Sequence, residues 1–188
     1  MQAFPLDLKI YNFINSHIDT NVEPWKSIKM ITEDPHVYMP ILLVLIGTFI
    51  FCLFKYKNFH LKKIIPIVFV TILTILLSDL CSNGLKHFFG RLKPHALGQG
   101  PFSFPSSHAM NSFTLFFLAF FSVQQKKLLS KNTKALIFLF IVAASNSFLR
   151  VLLAEHYLSD LLAAFIFALP VGFLGSKLLD RMFLDQSK

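Results

Sequence analysis

Five stretches of this chain, 37–54, 64–85, 109–125, 135–149 and 157–176, run with almost no charge. The second is interrupted only by Asp79 and the fifth only by Asp160; the other three hold no charged residue. About 20 consecutive apolar residues form a helix long enough to cross the hydrocarbon core of a bilayer. The fourth stretch is short for a crossing unless Arg150 snorkels or the helix runs past it. Composition agrees with membrane insertion. Of 188 residues, 54% are apolar and only 15% charged, where soluble domains average about 25% charged. Phe alone occurs 23 times. A soluble domain of this size could not hide so much apolar surface, and disorder, a collagen-like fold and a disulfide scaffold are excluded on the same grounds. The expected fold is all-α: a polytopic membrane bundle of about five transmembrane helices over residues 37–188.

Residues 1–36 differ. Leu6, Ile10, Phe13, Ile14 and Ile18 fall near helical spacing, with Lys9, Asn12, Asn15 and Asp19 between them, and Trp25, Ile28 and Ile31 extend the stripe. This pattern reads as amphipathic helix in the membrane interface, packed on the bundle or lying beside it. Asp7 and Lys9 interrupt the N-terminal apolar residues too early for a cleavable signal peptide, so insertion is expected to rely on internal spans. Cys52 and Cys81 both lie in apolar runs and read as buried thiols.

The formal net charge is +8. Most of it sits in three places: Lys55, Lys57, Lys62 and Lys63; Lys126, Lys127, Lys131 and Lys134; and Lys177, Arg181 and Lys188. Cytoplasmic loops are enriched in Lys and Arg, and these three regions alternate correctly if all face the cytoplasm. Five spans then close with the N-terminus outside and the C-terminus inside. The excess charge reports topology and calls for no nucleic acid.

A smaller polar set breaks that rule. Asp79, Ser82, Asn83 and Lys86 are spaced by three and four and share a helix face; Asp79 and Asn83 suit either a site or helix–helix hydrogen bonding. The outward loop that follows holds Lys86, Arg91 and Lys93, three cations where the topology predicts few, and an anionic ligand explains them. Next come Pro105, Ser106, Ser107 and His108, a helix start whose N–H groups suit a phosphate. The third cluster is Arg150, His156 and Asp160. His156 and Asp160 are one helical turn apart, so the carboxylate can hold one imidazole nitrogen and leave the other as nucleophile or base; a purely structural His–Asp pair has the same spacing. Arg150 offers a fork for phosphate oxygens. Two spans separate His108 from His156, which returns the chain to the same membrane face. Two histidines, an aspartate and fixed cations at one face suit phosphoryl transfer, with one His attacking phosphorus and the other protonating the leaving oxygen. The sequence offers no carboxylate-rich metal cage and no nucleotide-binding fingerprint, so no cofactor is expected.

Together the three clusters resemble the signature of the type 2 phosphatidic acid phosphatase (PAP2) superfamily, K-x6-R-P, P-S-G-H and S-R-x5-H-x3-D, in that order. The resemblance covers residues 86 to 160. It implies that His156 is the nucleophile of a phosphohistidine intermediate, Asp160 its orienting partner and His108 the general acid, with Lys86, Ser106 and Arg150 on the phosphate. Three positions depart from the pattern. Lys93 stands where the family has Arg, and Arg91 is a candidate for the missing fork. Ser107 stands for the Gly of P-S-G-H, its N–H still able to meet phosphate if Ser tolerates the backbone there. Leu149 replaces the Ser before Arg150. None of these removes the nucleophile, its partner or the acid.

The resemblance therefore implies a metal-independent lipid phosphatase of a bacterial inner membrane, with its site facing the periplasm or exterior and its C-terminus in the cytoplasm. Its partners would be the bilayer and a lipid substrate; lipid A 1-phosphate or undecaprenyl diphosphate is favoured because both suit an outward-facing site. Phosphatidylglycerol phosphate and phosphatidate remain alternatives, as do lipid-to-lipid phosphotransfer, non-enzymatic anion or lipid transport, and a haem or metal protein using the two histidines. The segment between Pro94 and Pro105, with Gly98 and Gly100, is expected to be a short lid.

Overall fold

The computed structural model describes residues 2–19, 21–28, 64–94, 101–125 and 129–184. The span expected at 37–54, with Cys52 and the lysines from 55 to 63, lies outside them, as does the middle of the expected lid. Five named helices make up the described part: α1 (Pro5–His17), α2 (Ile64–Phe89), α3 (Ser107–Gln125), α4 (Leu129–Leu152) and α5 (Leu158–Leu184). Among the described residues the extended pairing is a single antiparallel bridge between Leu92 and Phe102. The fold is all-α, as expected.

Among the described residues, three helical segments are long and apolar enough to cross a membrane: Pro66–Phe89, Thr133–Leu152 and Leu158–Met182. The fourth expected crossing is not short, because α4 runs through Arg150 to Leu152. The helix expected at 109–125 is less apolar than these three, since its first turns carry Asn111, Ser112 and Thr114. It compensates by burial. α3 is the central helix and packs on α2, α4 and α5, most extensively on α5. Ala109, Met110, Phe113 and Phe117 of α3 meet Ala143 and Val151 of α4 and Leu161, Ala164, Ala168 and Val171 of α5. The ring of Phe165 stands 5.0 Å from both Phe113 and Phe117.

Hydrophobic burial drives helices together weakly inside a bilayer, so close approach and interhelical hydrogen bonds carry more of the packing. Both occur here. A Cβ on Gly172 would lie 2.5 Å from Phe117 Cβ and 2.9 Å from Leu118 N, and one on Gly175 would lie 2.4 Å from Thr74 Oγ1. Two glycines on adjacent turns thus let α5 press against α3 and α2. Thr114 Oγ1 donates to Ser78 Oγ (3.1 Å) and Asn146 Nδ2 to Ser112 Oγ (2.8 Å), tying α3 to α2 and to α4. Cys81 is only half-buried, packed at the edge of the core.

α1 packs on α5. Its expected apolar stripe divides. Ile14 is buried in the shared core with Ile10 and Ile18 beside it, while Leu6 and Phe13 are each 65% exposed. The helix therefore docks on the bundle by one side and turns a second apolar side outward. Asp7 is on the docked side and buried.

Two turns set the site. α2 ends at Gly90, whose φ of +57° is the left-handed conformation glycine adopts without a Cβ penalty. Its N–H donates to Lys86 O at 2.9 Å, closing the last turn. Between α4 and α5 the chain reverses within residues 153–157. Ala154 there has φ 58°, a left-handed conformation that costs a non-glycine residue of order 1 kcal/mol.

Candidate active site

The three sequence clusters converge at one end of the bundle. The C-terminal end of α2 and its following loop bring Lys86, Arg91 and Lys93. The start of α3 brings Ser106, Ser107 and His108. The turn between α4 and α5 brings Arg150, His156 and Asp160. Hydrogen bonds fasten these pieces to one another. Ser82 Oγ donates to Ser107 Oγ (2.8 Å), joining α2 to α3. Ser106 N–H donates to Asp160 O (3.3 Å), joining α3 to α5. Ser103 N–H donates to Arg91 O (2.7 Å) and Lys93 N–H to Pro101 O (3.0 Å), which pins the loop after α2 against the approach to α3.

His156 and Asp160 form the expected pair. His156 Nδ1 lies 3.4 Å from Asp160 Oδ2, and Asp160 is completely buried. The same Oδ2 accepts the Tyr157 N–H at 2.9 Å, while Oδ1 accepts from Arg91 Nη1 at 2.9 Å. With Nδ1 turned to the carboxylate, Nε2 is the nitrogen left for chemistry. Burial holds the imidazole below its ordinary value of 6.5; the Asp160 carboxylate opposes that fall without cancelling it, and the Lys86 and Lys93 charges add to it. His156 is therefore neutral at pH 7, the form in which Nε2 carries a lone pair.

His108 stands near His156 and within reach of the charges of Arg150, Lys86 and Lys93. Lys86, from the last turn of α2, is likewise acted on by Lys93, Asp79 and Asp160. Arg150 is buried and donates through Nη1 to Glu155 Oε2 (2.9 Å). Glu155 was not singled out by the sequence; its place inside the R-x5-H spacing was the available signal.

Ser106 and Ser107 take different parts. Ser106 is the N-cap of α3, its Oγ facing Ala109 N at 3.5 Å. Ser107 is the first helical residue and keeps a negative φ, since Ala154 is the positive-φ non-glycine residue among the described residues. The Gly-to-Ser departure therefore carries no backbone strain. The N–H groups of a helix's first turn have no carbonyl within the helix and favour an anion.

The structure differs from expectation at Arg91 and on α2. Arg91 was a candidate phosphate fork. Its guanidinium is instead 1% exposed and bound behind the dyad, with Nη1 on Asp160 Oδ1 and Ser159 Oγ (2.6 Å) and Nη2 on Asp7 Oδ2 (2.5 Å). It lies over the Tyr157 ring at 4.4 Å and near those of Phe4 and Phe104. Two buried carboxylates attract it more strongly than an open loop position could hold it. On α2, Ser82 is buried toward α3, whereas Asp79 and Asn83 lie on the exposed side and bond to each other, Asn83 Nδ2 to Asp79 Oδ2 at 3.1 Å. Among the described residues, no group of three or more His, Cys, Asp or Glu side chains is arranged to hold a metal ion.

The sequence profile of the PAP2 superfamily matches residues 63–182. A lipid A 4'-phosphatase of Bacteroides thetaiotaomicron is 35% identical over 127 residues, covering 58% of this chain and 52% of that protein. The chain thus spans about half the length of this curated relative. Among solved structures, a transmembrane PAP2-type phosphatidylglycerolphosphate phosphatase from Bacillus subtilis superposes with a TM-score of 0.63 at 22% identity, over 94% of this chain and 85% of that one. That likeness is one of fold.

Proposed function

The chain belongs to the PAP2 superfamily, and from that premise we propose that it is a membrane lipid phosphatase acting through a phosphohistidine on His156. The observation that carries this reading is the buried His156–Asp160 pair, with Nδ1 turned to the carboxylate, set beside His108, Lys86, Lys93 and Arg150. His156 Nε2 attacks phosphorus as the bond from phosphorus to the lipid oxygen breaks. His108 gives the departing oxygen its proton. Asp160 takes the Nδ1–H hydrogen bond and balances the positive charge that forms on the ring. Water then attacks the phosphohistidine, His108 removes its proton, and the P–N bond breaks to release inorganic phosphate. Lys86, Lys93, Arg150 and the N–H groups at the start of α3 hold the non-bridging oxygens as charge builds on them. Lys93 takes the position of the family's Arg, and Arg91 stays behind the dyad.

The substrate we propose is a phosphate on a lipid A headgroup. The Bacteroides relative's name supports lipid A and favours its 4'-phosphate over the 1-phosphate; undecaprenyl diphosphate is the second choice. The site would face outward from a bacterial inner membrane. Lys177 and Arg181 support this orientation, because they sit on α5 roughly 26 Å and more from Asp160 along the helix.

Detergent-purified protein should be given lipid A, undecaprenyl diphosphate, phosphatidylglycerol phosphate and phosphatidate in turn, with His156→Ala as the blank. Release of phosphate from lipid A, absent in the blank and traced by mass to the 4' position, is the expected result. No release from any of the four lipids would refute the reading, and phosphate appearing on an added acceptor lipid instead of in solution would make the protein a transferase.

A further inference from the structure

Asp7, on α1, lies outside the residues matched by the family profile. Its carboxylate is 4% exposed and takes four donors. Ser159 N–H reaches Oδ1 at 3.0 Å, and Arg91 Nη2 (2.5 Å), Ser159 Oγ (2.6 Å) and Phe4 N–H (3.3 Å) reach Oδ2. The Ser159 hydroxyl has one proton. It gives that proton to Asp7 and accepts from Arg91 Nη1 at 2.6 Å. Arg91 Nη1 also donates to Asp160 Oδ1, and Asp160 Oδ2 faces His156. A continuous series of contacts therefore runs from α1 to the nucleophile.

The charge arrangement explains what Asp7 contributes. One buried guanidinium is shared by two buried carboxylates. With Asp160 as its sole counter-ion, Arg91 would pair with both carboxylate oxygens and draw them off the imidazole, since a bidentate pair is the geometry guanidinium and carboxylate prefer. Asp7 occupies the other terminal nitrogen and leaves Asp160 one oxygen for Tyr157 and His156. It also accepts the N–H of Ser159 at the start of α5, one residue before Asp160, where a helix favours negative charge.

We propose that Asp7 is a positioning residue for the His156–Asp160 pair, so that α1 is part of the reactive centre and not merely a membrane anchor. The proposal rests on the phosphatase reading above. Asp7→Asn keeps the side chain's shape and removes its charge.

The test compares wild type, Asp7→Asn, Asp7→Glu, Arg91→Lys and Asp7→Asn/Arg91→Lys in detergent, with a thermal melt of each. For lipid phosphate release, Asp7→Asn should lower kcat about 10- to 100-fold, the worth of one charge-assisted hydrogen bond, with KM within threefold. Asp7→Glu should restore part of the loss. Asp7→Asn should add little once Arg91 is Lys. Orthovanadate, which mimics five-coordinate phosphorus, should bind Asp7→Asn about tenfold more weakly, while inorganic phosphate binds it as it binds wild type. Wild-type kcat and vanadate affinity in Asp7→Asn would overturn the proposal, and so would a loss confined to the melting temperature. Failure of all four lipids as substrates would refute the phosphatase reading alone, because vanadate binding is read without turnover.

Discussion

Asp160→Asn is the sharpest test of the dyad. The substitution keeps the size of a completely buried side chain and exchanges one oxygen for an NH2 group. Every partner of the carboxylate is a donor: Arg91 Nη1 at 2.9 Å on Oδ1, and Tyr157 N–H at 2.9 Å with the His156 Nδ1–H on Oδ2. An amide cannot satisfy both sides. If its NH2 faces Arg91, two donors oppose each other without water. If it faces Tyr157 and His156, the imidazole is driven to move its proton to Nε2 and the nucleophilic lone pair is lost. A buried mismatch of this kind costs about 1–3 kcal/mol, and the equivalent change in serine proteases lowers kcat about 10⁴-fold. Two features of this site place the expectation below that figure. The His156–Asp160 contact is long at 3.4 Å, and Arg91 already shares the carboxylate's charge. A loss of about 10²- to 10³-fold in kcat follows, roughly 3–4 kcal/mol of barrier. The assay is steady-state phosphate release per folded molecule, with folding checked by circular dichroism and size-exclusion elution. A kcat within fivefold of wild type would refute the assignment of Asp160 as the partner of the nucleophile.

Three further outcomes are expected. Burial holds His156 below 6.5, and as the proposed nucleophile it acts when neutral, so kcat/KM should stay level as pH falls through 6.5 and decline only below it; a decline centred at or above 6.5 would contradict the placement. Gly172→Ala puts a Cβ 2.5 Å from Phe117 Cβ and 3.0 Å from Thr114 O, an overpacking cost of about 1–3 kcal/mol against a helix-propensity gain of up to about 1 kcal/mol, so its thermal midpoint in detergent should fall while Gly84→Ala, with nothing within 4 Å, is neutral or stabilising; equal midpoints would refute the packing account. Ala154→Gly should keep full turnover because glycine accepts the φ of 58°, whereas Ala154→Val should lose at least about tenfold, the branched side chain being both strained there and fully buried; an active valine variant would show that the turn tolerates movement.

Much of the candidate site was legible because it is local. His156 and Asp160 are one turn apart, Lys86 and Lys93 bracket one loop, and the parity of the spans brings His108 to the same end. Arg91 was visible only as a cation out of place, because its partners are 69 and 84 residues away. A single sequence counts charges and does not say which carboxylate meets which guanidinium. Asp7 was hidden further. In the sequence it counts only as a charge that interrupts the N-terminal apolar residues too early for a cleavable signal peptide, and its bond to Ser159 spans 152 residues. Ser107 was open for a different reason: whether a glycine position admits serine depends on φ, and φ there follows from where α3 begins.

The distance between the two histidines is set far from either. His156 sits on a turn of residues 153–157, too short to move apart from α5, and His108 sits on the first turn of α3. Their separation is therefore the separation of α3 and α5. Gly172 sets that close approach, roughly 18 Å along α5 from Asp160, while Gly175 on the next turn sets the approach of α5 to α2. Small residues at helix contacts are common in membrane bundles for packing alone, so the sequence gives them no catalytic mark. On the proposed mechanism they bear on chemistry, because a nucleophile and an acid carried on separate helices lose about 10²-fold in rate when misplaced by about 1 Å. Gly172→Ala should accordingly lower turnover per folded molecule as well as stability, and Gly84→Ala should change neither adversely. A Gly172→Ala protein that melts earlier yet turns over at the wild-type rate would show that the reactive end of the bundle is insulated from the packing of its middle.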